Sequence, residues 1–598
     1  FYRDPFGRLT RECRSDGSFS ETTFGCCGRQ TSGKDSGGIE TSYYYDDLGR
    51  LDLSAKTATP NNLLTTSVYD EADRVLATVV SAGGSALTNS INTFDVAGRL
   101  LTRTDTAGLL TSYAYPSGGL VTVVTNPGGA TVITTNYLDG RTKSITGTGT
   151  IPVCYDYGVN ADGSQWTTVY TGPQGAASPA WNRTVTDLLG RTARTESPAF
   201  GGGVLTNESY FNSSGQVWKT QASGLSPQPS ASLYEYNEIG EQVRSGLDVD
   251  SDGALDLSES DRVSEQQTVY ETVGSDWWRV SRNVVYATAG SGAATTTSVV
   301  RVRLTGLSTN LTSETVTLDI FGNATTNRTS VNRDTKMALA TTIYPDSAIA
   351  AETVTSNGLL LSVVTKTGLT NVFGYDWLER RTSAVDPRTG SALTHFNNRG
   401  QVDYVEDAAS NRTCIAYDPD TGRQIAVTNA IGNAEYTSHD LQGRPVKKWG
   451  ATYPVSYAFD DYGRLTNMTT YRGGTNWFSD TWPADPGTGD STVWLYDEAT
   501  GLLTNKVYAD GTGPGYAYTV DGKLSLRTWA RGETTTYSYN PDTRDMTNIH
   551  YSATNAPDVS FSLDRIGRRT QINDGAGTWS FGYNQQLQLT NETLTGSQ

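Results

Sequence analysis

Residues 45–51 read Tyr-Asp-Asp-Leu-Gly-Arg-Leu, and this order of an aromatic residue, Asp, two variable positions, Gly, Arg and Leu returns along the whole chain. Close copies occupy residues 1–10, 94–100 and 459–466. Weaker copies lie at residues 69–74, 186–191, 236–240, 396–400 and 563–568. Successive turn glycines are 20 to 25 residues apart. A regular period of this length indicates a repeat architecture, so the 598 residues measure the number of repeats and not the number of domains.

Each copy has the composition of a hairpin turn. Asp or Asn at the first turn position hydrogen-bonds the backbone with its side chain, and Gly three residues later adopts the positive φ that returns the chain. The flanking segments, such as 41–45 and 534–539, are rich in Thr and Tyr, as strands are. Further Gly-containing turns fall between the motifs. One repeat is therefore predicted to be two strands and two turns, which gives about 24 to 28 repeats in the chain.

The Arg that follows the turn Gly is predicted to be a structural clamp. Only 10 of the 46 basic residues are Lys, so 36 are Arg. A planar guanidinium beside the turn can pair with the Asp carboxylate and lie on the Tyr ring, and Lys is a poorer substitute in both tasks. Residues that recur in every unit of a repeat array usually serve the packing of one unit on the next.

Composition excludes several classes of function. Hydrophobic residues make up 36% and charged residues 18%, which is lean for a globular core, but 10% aromatic residues argue for a folded chain. A net charge of −17 lacks the basic footprint of a nucleic-acid-binding protein. Three His residues leave little material for histidine chemistry, and no apolar run is long enough to span a membrane. We therefore expect a non-catalytic protein without nucleic acid as a partner.

The repeated motif resembles the YD repeats of the Rhs family, which includes the C components of insecticidal Tc toxins and the extracellular domain of teneurins. The resemblance implies an all-β fold in which antiparallel hairpins join into one continuous sheet that spirals into a hollow shell or tube. Bacterial members enclose a C-terminal toxin, whereas teneurins use the shell as a scaffold for adhesion. The Asp-Pro-rich and Gly-Gly-rich core segment that releases the payload in Rhs effectors has no counterpart in this sequence.

These implications lead to a specific expectation. The chain is expected to be a shell or scaffold segment of a larger secreted or cell-surface protein, bacterial in origin, that encloses or presents a toxin or cargo domain outside this chain. Residues 1–240 and 376–598 are expected to be regular YD-repeat arrays. Residues 241–375 are expected to be a less regular insertion in the same sheet.

One acidic segment within that insertion, residues 248–259, resembles the calcium loop of an EF-hand. Carboxylates occupy positions 1, 3, 5, 9 and 12, with Gly253 at position 6. Alternate residues of a tightly turned loop direct oxygens to one centre, and Leu255 at position 8 is expected to anchor the loop. The predicted ligands of a single Ca²⁺ are Asp248, Asp250, Asp252, the Ala254 carbonyl, Asp256 and Glu259. The alternative is an ordinary solvated acidic loop.

Exposed aromatic residues support a second candidate function. Tryptophans could form platforms that stack on sugars, as in an adhesin or a carbohydrate-binding scaffold whose partner is a cell-surface glycan or protein. They could equally line the inside of a shell or form cross-strand pairs, and burial discriminates between these alternatives. The candidates are Trp277, Trp278, Trp477, Trp482, Trp494 and Trp529. A glycan-active enzyme is a more distant third possibility, because paired carboxylates cannot be recognised from sequence alone.

Overall fold

The computed structural model describes residues 1–14, 16–58, 62–290, 292–308 and 310–596. These residues contain 50 β-strands and two single turns of 3₁₀ helix, Ser117–Gly119 and Gly175–Ala177. Neither helix has the length or the apolar character that a membrane span requires, so the described ranges contain no candidate for a membrane-spanning helix. At two strands per repeat, the 50 strands correspond to 25 repeats. The predicted all-β class is confirmed, and the repeat number lies within the predicted range.

The first 25 strands are β1 (Tyr2–Arg3), β2 (Leu9–Cys13), β3 (Phe19–Phe24), β4 (Gln30–Lys34), β5 (Glu40–Tyr45), β6 (Leu51–Lys56), β7 (Leu63–Tyr69), β8 (Val75–Ala82), β9 (Ser85–Phe94), β10 (Leu100–Asp105), β11 (Leu110–Ala114), β12 (Val121–Thr125), β13 (Thr131–Asn136), β14 (Thr142–Thr146), β15 (Val153–Val159), β16 (Gln165–Thr171), β17 (Trp181–Thr186), β18 (Thr192–Pro198), β19 (Val204–Phe211), β20 (Val217–Ser223), β21 (Ala231–Tyr236), β22 (Gln242–Asp248), β23 (Arg262–Val273), β24 (Asp276–Tyr286) and β25 (Ala294–Arg303).

The other 25 strands are β26 (Ser313–Leu318), β27 (Ala324–Asn332), β28 (Met337–Ile343), β29 (Ala351–Ser356), β30 (Leu359–Val364), β31 (Thr370–Tyr375), β32 (Arg381–Asp386), β33 (Gly390–Phe396), β34 (Val402–Glu406), β35 (Arg412–Tyr417), β36 (Gln424–Thr428), β37 (Ala434–His439), β38 (Pro445–Gly450), β39 (Val455–Phe459), β40 (Leu465–Gly473), β41 (Gly487–Tyr496), β42 (Leu503–Val507), β43 (Gly515–Tyr518), β44 (Leu524–Thr528), β45 (Thr534–Tyr539), β46 (Met546–Tyr551), β47 (Val559–Leu563), β48 (Arg569–Asp574), β49 (Gly577–Tyr583) and β50 (Leu589–Thr595).

The strands form one continuous antiparallel meander. Each strand pairs with the next strand in the chain, from β1–β2 to β49–β50. The first and last strands each have one partner, so backbone pairing does not close the sheet within the described residues. The sheet also runs without interruption through residues 241–375, where β23, β24 and β25 are 10 to 12 residues long.

The YD motif forms a tight turn with a bulge, as the turn after β5 illustrates. The Gly49 N–H donates to the Asp46 carbonyl at 2.8 Å, and Gly49 has a φ of +85°. The Asp46 carboxylate accepts the Arg50 N–H at 2.9 Å and the Arg50 Nε–H at 2.7 Å. The strand register shifts at Tyr45, as expected for a type I turn followed by a residue with positive φ. The predicted turn and the predicted Asp–Arg pair are both confirmed.

The same Arg joins its repeat to the next one. The Arg50 guanidinium lies 4.8 Å from the centroid of the Tyr69 ring and donates to the Asp70 carbonyl at 2.6 Å. In return, the Tyr69 hydroxyl donates to the Leu51 carbonyl at 2.8 Å. The clamp predicted from the sequence is therefore confirmed, and the ring beneath the guanidinium belongs to the following repeat. The aromatic residue and the Arg of the motif thus hold successive hairpins together.

Contacts between distant residues show how the sheet winds. Hydrogen bonds join residues that are 279 to 323 positions apart in the chain. The pairs are Asp35–Arg333, Lys56–Glu379, Thr57–Lys336, Thr150–Gln442, Gln174–Tyr462, Ser230–Asp542, Asp256–Arg565 and Thr295–Gln585. Seven of these eight pairs join elements 23 to 25 strands apart, as where the turn after β4 meets the turn after β27 and the loop after β22 meets the turn after β47, so one winding takes about 24 strands. The chain makes about two windings, and the predicted spiralling sheet is confirmed.

The two edges of the sheet have different roles in this arrangement. We call the turns after odd-numbered strands the YD rim, because the YD turns at Asp46, Asp376 and Asp564 lie there, and the turns after even-numbered strands the loop rim. The YD rim of the second winding packs on the loop rim of the first winding, and we call this contact the seam. The YD rim of the first winding and the loop rim of the second winding are outside it.

The seam combines buried polar contacts with close approach of the backbone. Arg333 is 9% exposed, lies 3.7 Å from the centroid of the Phe19 ring and donates to the Asp35 carbonyl at 2.8 Å and to the Phe19 carbonyl. Its other terminal nitrogen lies 2.9 Å from Glu21. A Cβ on Gly38 would come within 2.1 Å of the Arg333 carbonyl oxygen, so glycine is required there.

Few apolar side chains are buried in this wall. Only 15 hydrophobic residues among those described are buried, and nine of them are scattered outside any cluster, including alanines such as Ala55, Ala130 and Ala199. A buried cluster forms at one place, in the sheet below the acidic loop: Ala231, Leu233, Leu255, Val263, Val284 and Tyr286. The lean hydrophobic composition is therefore that of a single-layer sheet, in which each hairpin leans on its neighbours.

Candidate metal centre

The loop between β22 and β23 carries the acidic segment predicted to bind calcium. Its first ligand position, Asp248, is the last residue of β22. Leu255 is buried in the apolar cluster beside Val263 and Tyr286, so the predicted anchor is confirmed. Residues 258–260 form bends, and β23 begins at Arg262. The loop is thus fixed to the sheet at both ends and in its middle.

Backbone N–H groups fold the loop around its own carboxylates. The Gly253 N–H donates to Asp248 Oδ2 at 3.2 Å, and Gly253 has a φ of +90°. The Asp252 N–H donates to Asp250 Oδ1 at 3.3 Å, and the Ala254 N–H donates to Asp252 Oδ1 at 2.9 Å. These bonds fold the loop back on its own acidic side chains. Gly253 occupies the sharp bend, as the sequence pattern predicts.

Three carboxylates converge in this loop. One oxygen from each of Asp248, Asp250 and Asp261 lies within 4.8 Å of the other two. Asp248 and Asp250 are predicted ligands, whereas Asp261 is not. The Asp261 side chain is buried, and its oxygens accept the Val249 N–H at 2.6 Å and the Asp256 N–H at 3.0 Å. Asp261 lies two positions beyond the 12-residue pattern, and the only sequence signal for it is one more carboxylate after Glu259.

The other predicted ligands lie outside that group of three but within the same acidic surface. The pKa of Glu259 is raised by a hydrogen bond with the Asp250 carboxyl and by its charge. The pKa of Asp256 is raised by burial and by the Asp252 and Asp261 carboxylates. Ala254 is exposed, and only its N–H has a contact within the loop. Both raised pKa values reflect carboxyl groups that crowd one another.

Asp248 has the most unusual surroundings in the loop. The residue is 3% exposed, and its Oδ1 atom is buried without a hydrogen-bond partner. Burial, followed by the charge of Asp261, raises the pKa of Asp248. A buried carboxylate oxygen without a donor costs free energy, which a bound cation would recover. Oxygen ligands at this density suit a hard divalent cation, and Ca²⁺ takes six to eight of them.

The comparisons with known proteins concern the repeats and not this loop. Residues 94–131, which include the YD turn after β9, match the family model of the RHS repeat. These residues of the chain carry an RHS repeat. The resemblance to the Rhs family is therefore confirmed. No curated protein matches the sequence.

Solved structures similar to this RHS-repeat chain include complexes of Tc toxin components. The crystal structure of TcdB2-TccC3-TEV is 12% identical with a TM-score of 0.49, and the alignment covers 96% of this chain and 40% of that chain. The crystal structure of TcdB2-TccC3-Cdc42 is 11% identical with a TM-score of 0.48, and the alignment covers 96% of this chain and 37% of that chain. The structure of the Photorhabdus luminescens Tc holotoxin pore is 11% identical with a TM-score of 0.44, and the alignment covers 94% of this chain and 32% of that chain.

A YD turn of the second winding reaches the acidic loop. Arg565 follows Asp564 in the turn after β47 and is 4% exposed. Its guanidinium donates to the backbone carbonyls of Asp256 at 2.5 Å, Leu257 at 2.8 Å and Asp261. The neighbouring Arg262, at the start of β23, pairs with Asp545 of the second winding. The acidic loop is therefore part of the seam.

The candidate tryptophans of the sheet mostly pack on neighbouring side chains. Trp277 is half exposed, but Trp278 beside it is buried. Trp482 packs edge-on against Trp449 and Tyr471. The remaining three also touch neighbouring side chains, namely Trp477 with Tyr453, Trp494 with Lys506, and Trp529 with Thr535 and Arg527. By the burial criterion, these contacts favour cross-strand packing over an outward platform.

Proposed function

We propose that this RHS-repeat chain is a wall segment of a non-catalytic container that encloses a polypeptide. The observation that carries the proposal is the seam, in which the YD rim of one winding packs on the loop rim of the winding before it. A sheet that returns onto itself about every 24 strands encloses a space. The scarcity of buried apolar side chains agrees with a wall that leaves this space unfilled.

The dimensions of one winding support a hollow interior. Strands lie about 4.8 Å apart, so a winding of about 24 strands has a perimeter of roughly 115 Å and, if circular, a diameter near 37 Å. Inward side chains occupy about 5 Å on each side, since two packed sheets are about 10 Å apart. A cavity roughly 25 Å wide remains. The chain's own side chains are too short to fill it, so another polypeptide is the natural occupant.

The finer parts of the proposal rest on the resemblance to the Rhs family. A secreted or surface-displayed bacterial protein would use such a wall to keep a toxin or other cargo domain away from solvent until delivery. The negative charge of the chain argues against nucleic acid as the enclosed partner. Adhesion through exposed aromatic residues is less well supported, because five of the six candidate tryptophans contact neighbouring side chains or are buried.

Two measurements test the proposal. Single-particle electron microscopy of the chain is expected to show a ring in projection with a central region of low density, and a solid particle would refute the container. In a second test, a polypeptide fused after residue 598 is digested with protease. A container that holds the fused polypeptide protects it in the folded protein, and a Gly38→Ala variant with a disrupted seam loses the protection. Equal digestion of the fused and the free polypeptide would contradict enclosure.

A further inference from the structure

We propose that one calcium ion binds in the loop after β22, held by Asp248, Asp250 and Asp261 with help from Asp252, Asp256 or Glu259, and that this ion locks the seam by fixing the loop against Arg565. The proposal concerns the joint between the windings and holds whatever the container encloses. It differs from the site predicted from the sequence in two respects. Asp261 replaces the Ala254 carbonyl as a principal ligand, and the ion has a consequence 300 residues away in the chain.

The first argument is the combination of a buried orphan oxygen with a convergent set of ligands. A cluster of surface carboxylates alone would repel itself open into solvent. Here Asp248 cannot move to solvent, because it ends a strand and is 3% exposed, and its Oδ1 atom has no partner. One carboxylate oxygen from each of Asp248, Asp250 and Asp261 lies within 4.8 Å of the other two. A cation between them would satisfy all three groups at once.

The second argument is the choice of ion. The loop offers six side-chain carboxylates between residues 248 and 261, all of them oxygen ligands. Ca²⁺ accepts six to eight oxygens in flexible geometry, whereas Mg²⁺ requires a near-ideal octahedron and retains several waters. The sharp bend at Gly253 and the buried Leu255 further resemble the loop that proteins use for Ca²⁺. Calcium is therefore favoured over magnesium.

The third argument is the path from the ion to the seam. Asp261 accepts the N–H groups of Val249 and Asp256, so its carboxylate ties the two halves of the loop together. The carbonyl of Asp256 and that of Asp261 itself then accept hydrogen bonds from Arg565 of the second winding. Any ion that orders Asp261 consequently orders the acceptors of Arg565. Without the ion, repulsion among the carboxylates would loosen the same acceptors.

The binding claim is tested by isothermal titration calorimetry of the whole chain with CaCl₂ alone and with MgCl₂ alone. We expect one calcium site, with magnesium at least about tenfold weaker. The double variant Asp248→Asn/Asp250→Asn is expected to bind calcium roughly 10- to 100-fold more weakly. Asp47→Asn, in an exposed YD turn of the first winding, is the matched control and should bind like the wild type. The absence of calcium binding by the wild type, or equal affinity of the double variant, overturns the site.

The locking claim is tested by hydrogen exchange in calcium and in chelator. In the wild type, calcium is expected to slow exchange in residues 248–262 and also in residues 564–568. Arg565→Gln is expected to keep one calcium and the protection of the loop but to lose the effect on residues 564–568. Arg531→Gln, in an exposed turn outside the seam, should behave like the wild type. If calcium protects only the loop in the wild type, or protects residues 564–568 equally without Arg565, the lock is refuted and only a local site remains.

Discussion

The YD turns of the two windings share one sequence motif but lie in different surroundings. In the first winding, the apolar residues at the turn tips face solvent, as Leu48 and Leu138 do at 69% and 92% exposed. In the second winding, the corresponding tips contact the loop rim of the first winding, where Trp377 packs beside Gly83 with 47% of its surface still exposed and Tyr462 bonds to Gln174. Within each turn, however, the Asp–Arg pair has nearly the same geometry in both windings, 2.7 Å at Arg50 and 2.7 Å at Arg464.

This difference separates two roles of the motif. The Tyr, Asp, Gly and Arg positions hold each hairpin and join it to its neighbour, so they depend only on local contacts. The two variable positions lie at the turn tip. In the first winding they face solvent, and in the second winding they contact the loop rim across the seam. Changes at the first set should affect both windings alike, whereas changes at the seam should affect only the covered rims.

The largest difference is expected between two glycines. Gly38 and Gly7 have nearly the same φ, +83° and +80°, so alanine costs about 1–3 kcal/mol of backbone strain at either position. A Cβ on Gly38 would also lie 2.1 Å from the Arg333 carbonyl oxygen, whereas a Cβ on Gly7 meets nothing within 4 Å. Gly38→Ala should therefore open the seam and lower the melting temperature far more than Gly7→Ala. Equal melting temperatures would mean that the two rims are equivalent and the seam is absent.

A smaller but still marked difference is expected between two arginines. Arg333 is 9% exposed and bonds to two carbonyls of the other winding, whereas Arg388 lies outside the seam and pairs with Asp386 with its side chain 68% exposed. Arg333→Gln should weaken the seam by about 2–4 kcal/mol, since it leaves buried acceptors without donors. Arg388→Gln removes an exposed ion pair outside the seam and should leave the seam nearly unchanged. Hydrogen exchange of residues 19–39 measures both effects, and unchanged exchange in Arg333→Gln would contradict the expectation.

No difference is expected for the hydroxyl of the motif's Tyr. The Tyr69 hydroxyl donates to the Leu51 carbonyl at 2.8 Å in the first winding, and the Tyr375 hydroxyl donates to the Leu360 carbonyl at 2.9 Å in the second. Tyr69→Phe and Tyr375→Phe should each cost about 0.5–1.5 kcal/mol, because each removes one bond within its own winding. Local exchange of the neighbouring strands reports the cost. A much larger effect at Tyr375 would show that the seam also depends on this residue.

The smallest effect on stability at each site is expected when the pH is lowered. The N–H of Arg50, with the Arg50 guanidinium, lowers the pKa of Asp46. At Asp440, burial would raise the pKa, but the N–H and guanidinium of Arg444 outweigh it and hold the pKa below its usual value. A lowered pKa in the folded state stabilises the protein above the unfolded value of about 3.9, and this contribution is lost as the pH falls through the folded value.

Two substitutions measure that contribution. Asp46→Asn and Asp440→Asn should each lower the melting temperature at neutral pH. The difference from the wild type should begin to shrink below the unfolded pKa of about 3.9 and should vanish as the pH falls through the lowered folded pKa, where the wild-type carboxyl groups become protonated. The shrinkage should be similar in the two windings. A difference that stays constant between neutral pH and about pH 3 would contradict a role for the charged carboxylates.

The sequence predicts what is local. The hairpin turn follows from Asp46 and Gly49, the clamp from Arg50 and the aromatic residues, and the anchor of the acidic loop from Leu255, because each depends on a fixed spacing within one or two repeats. The repeat number follows from the period. In each case the type of residue and its spacing indicate the local geometry.

The seam could not be predicted in the same way. Arg333, Lys336 and Arg565 bind backbone carbonyls of residues about 300 positions earlier, and any residue can supply a carbonyl, so no side-chain pattern marks the partners. The number of strands in a winding depends on the accumulated twist and curvature of the sheet. Asp261 was missed for a related reason, because it joins the acidic cluster from a position beyond the 12-residue pattern.

The central claim is that residues about 300 positions apart meet at a seam, and zero-length cross-linking with a carbodiimide tests it most directly. Lys56 Nζ lies 2.7 Å from Glu379 Oε1 across the seam, and Lys366 Nζ lies 2.6 Å from Asp346 Oδ2 within one winding. The second pair is the positive control, because it requires only local pairing of the strands. We expect mass spectrometry of the monomer to identify both linked peptides. Recovery of the Lys366–Asp346 link without the Lys56–Glu379 link would contradict the two-winding wall.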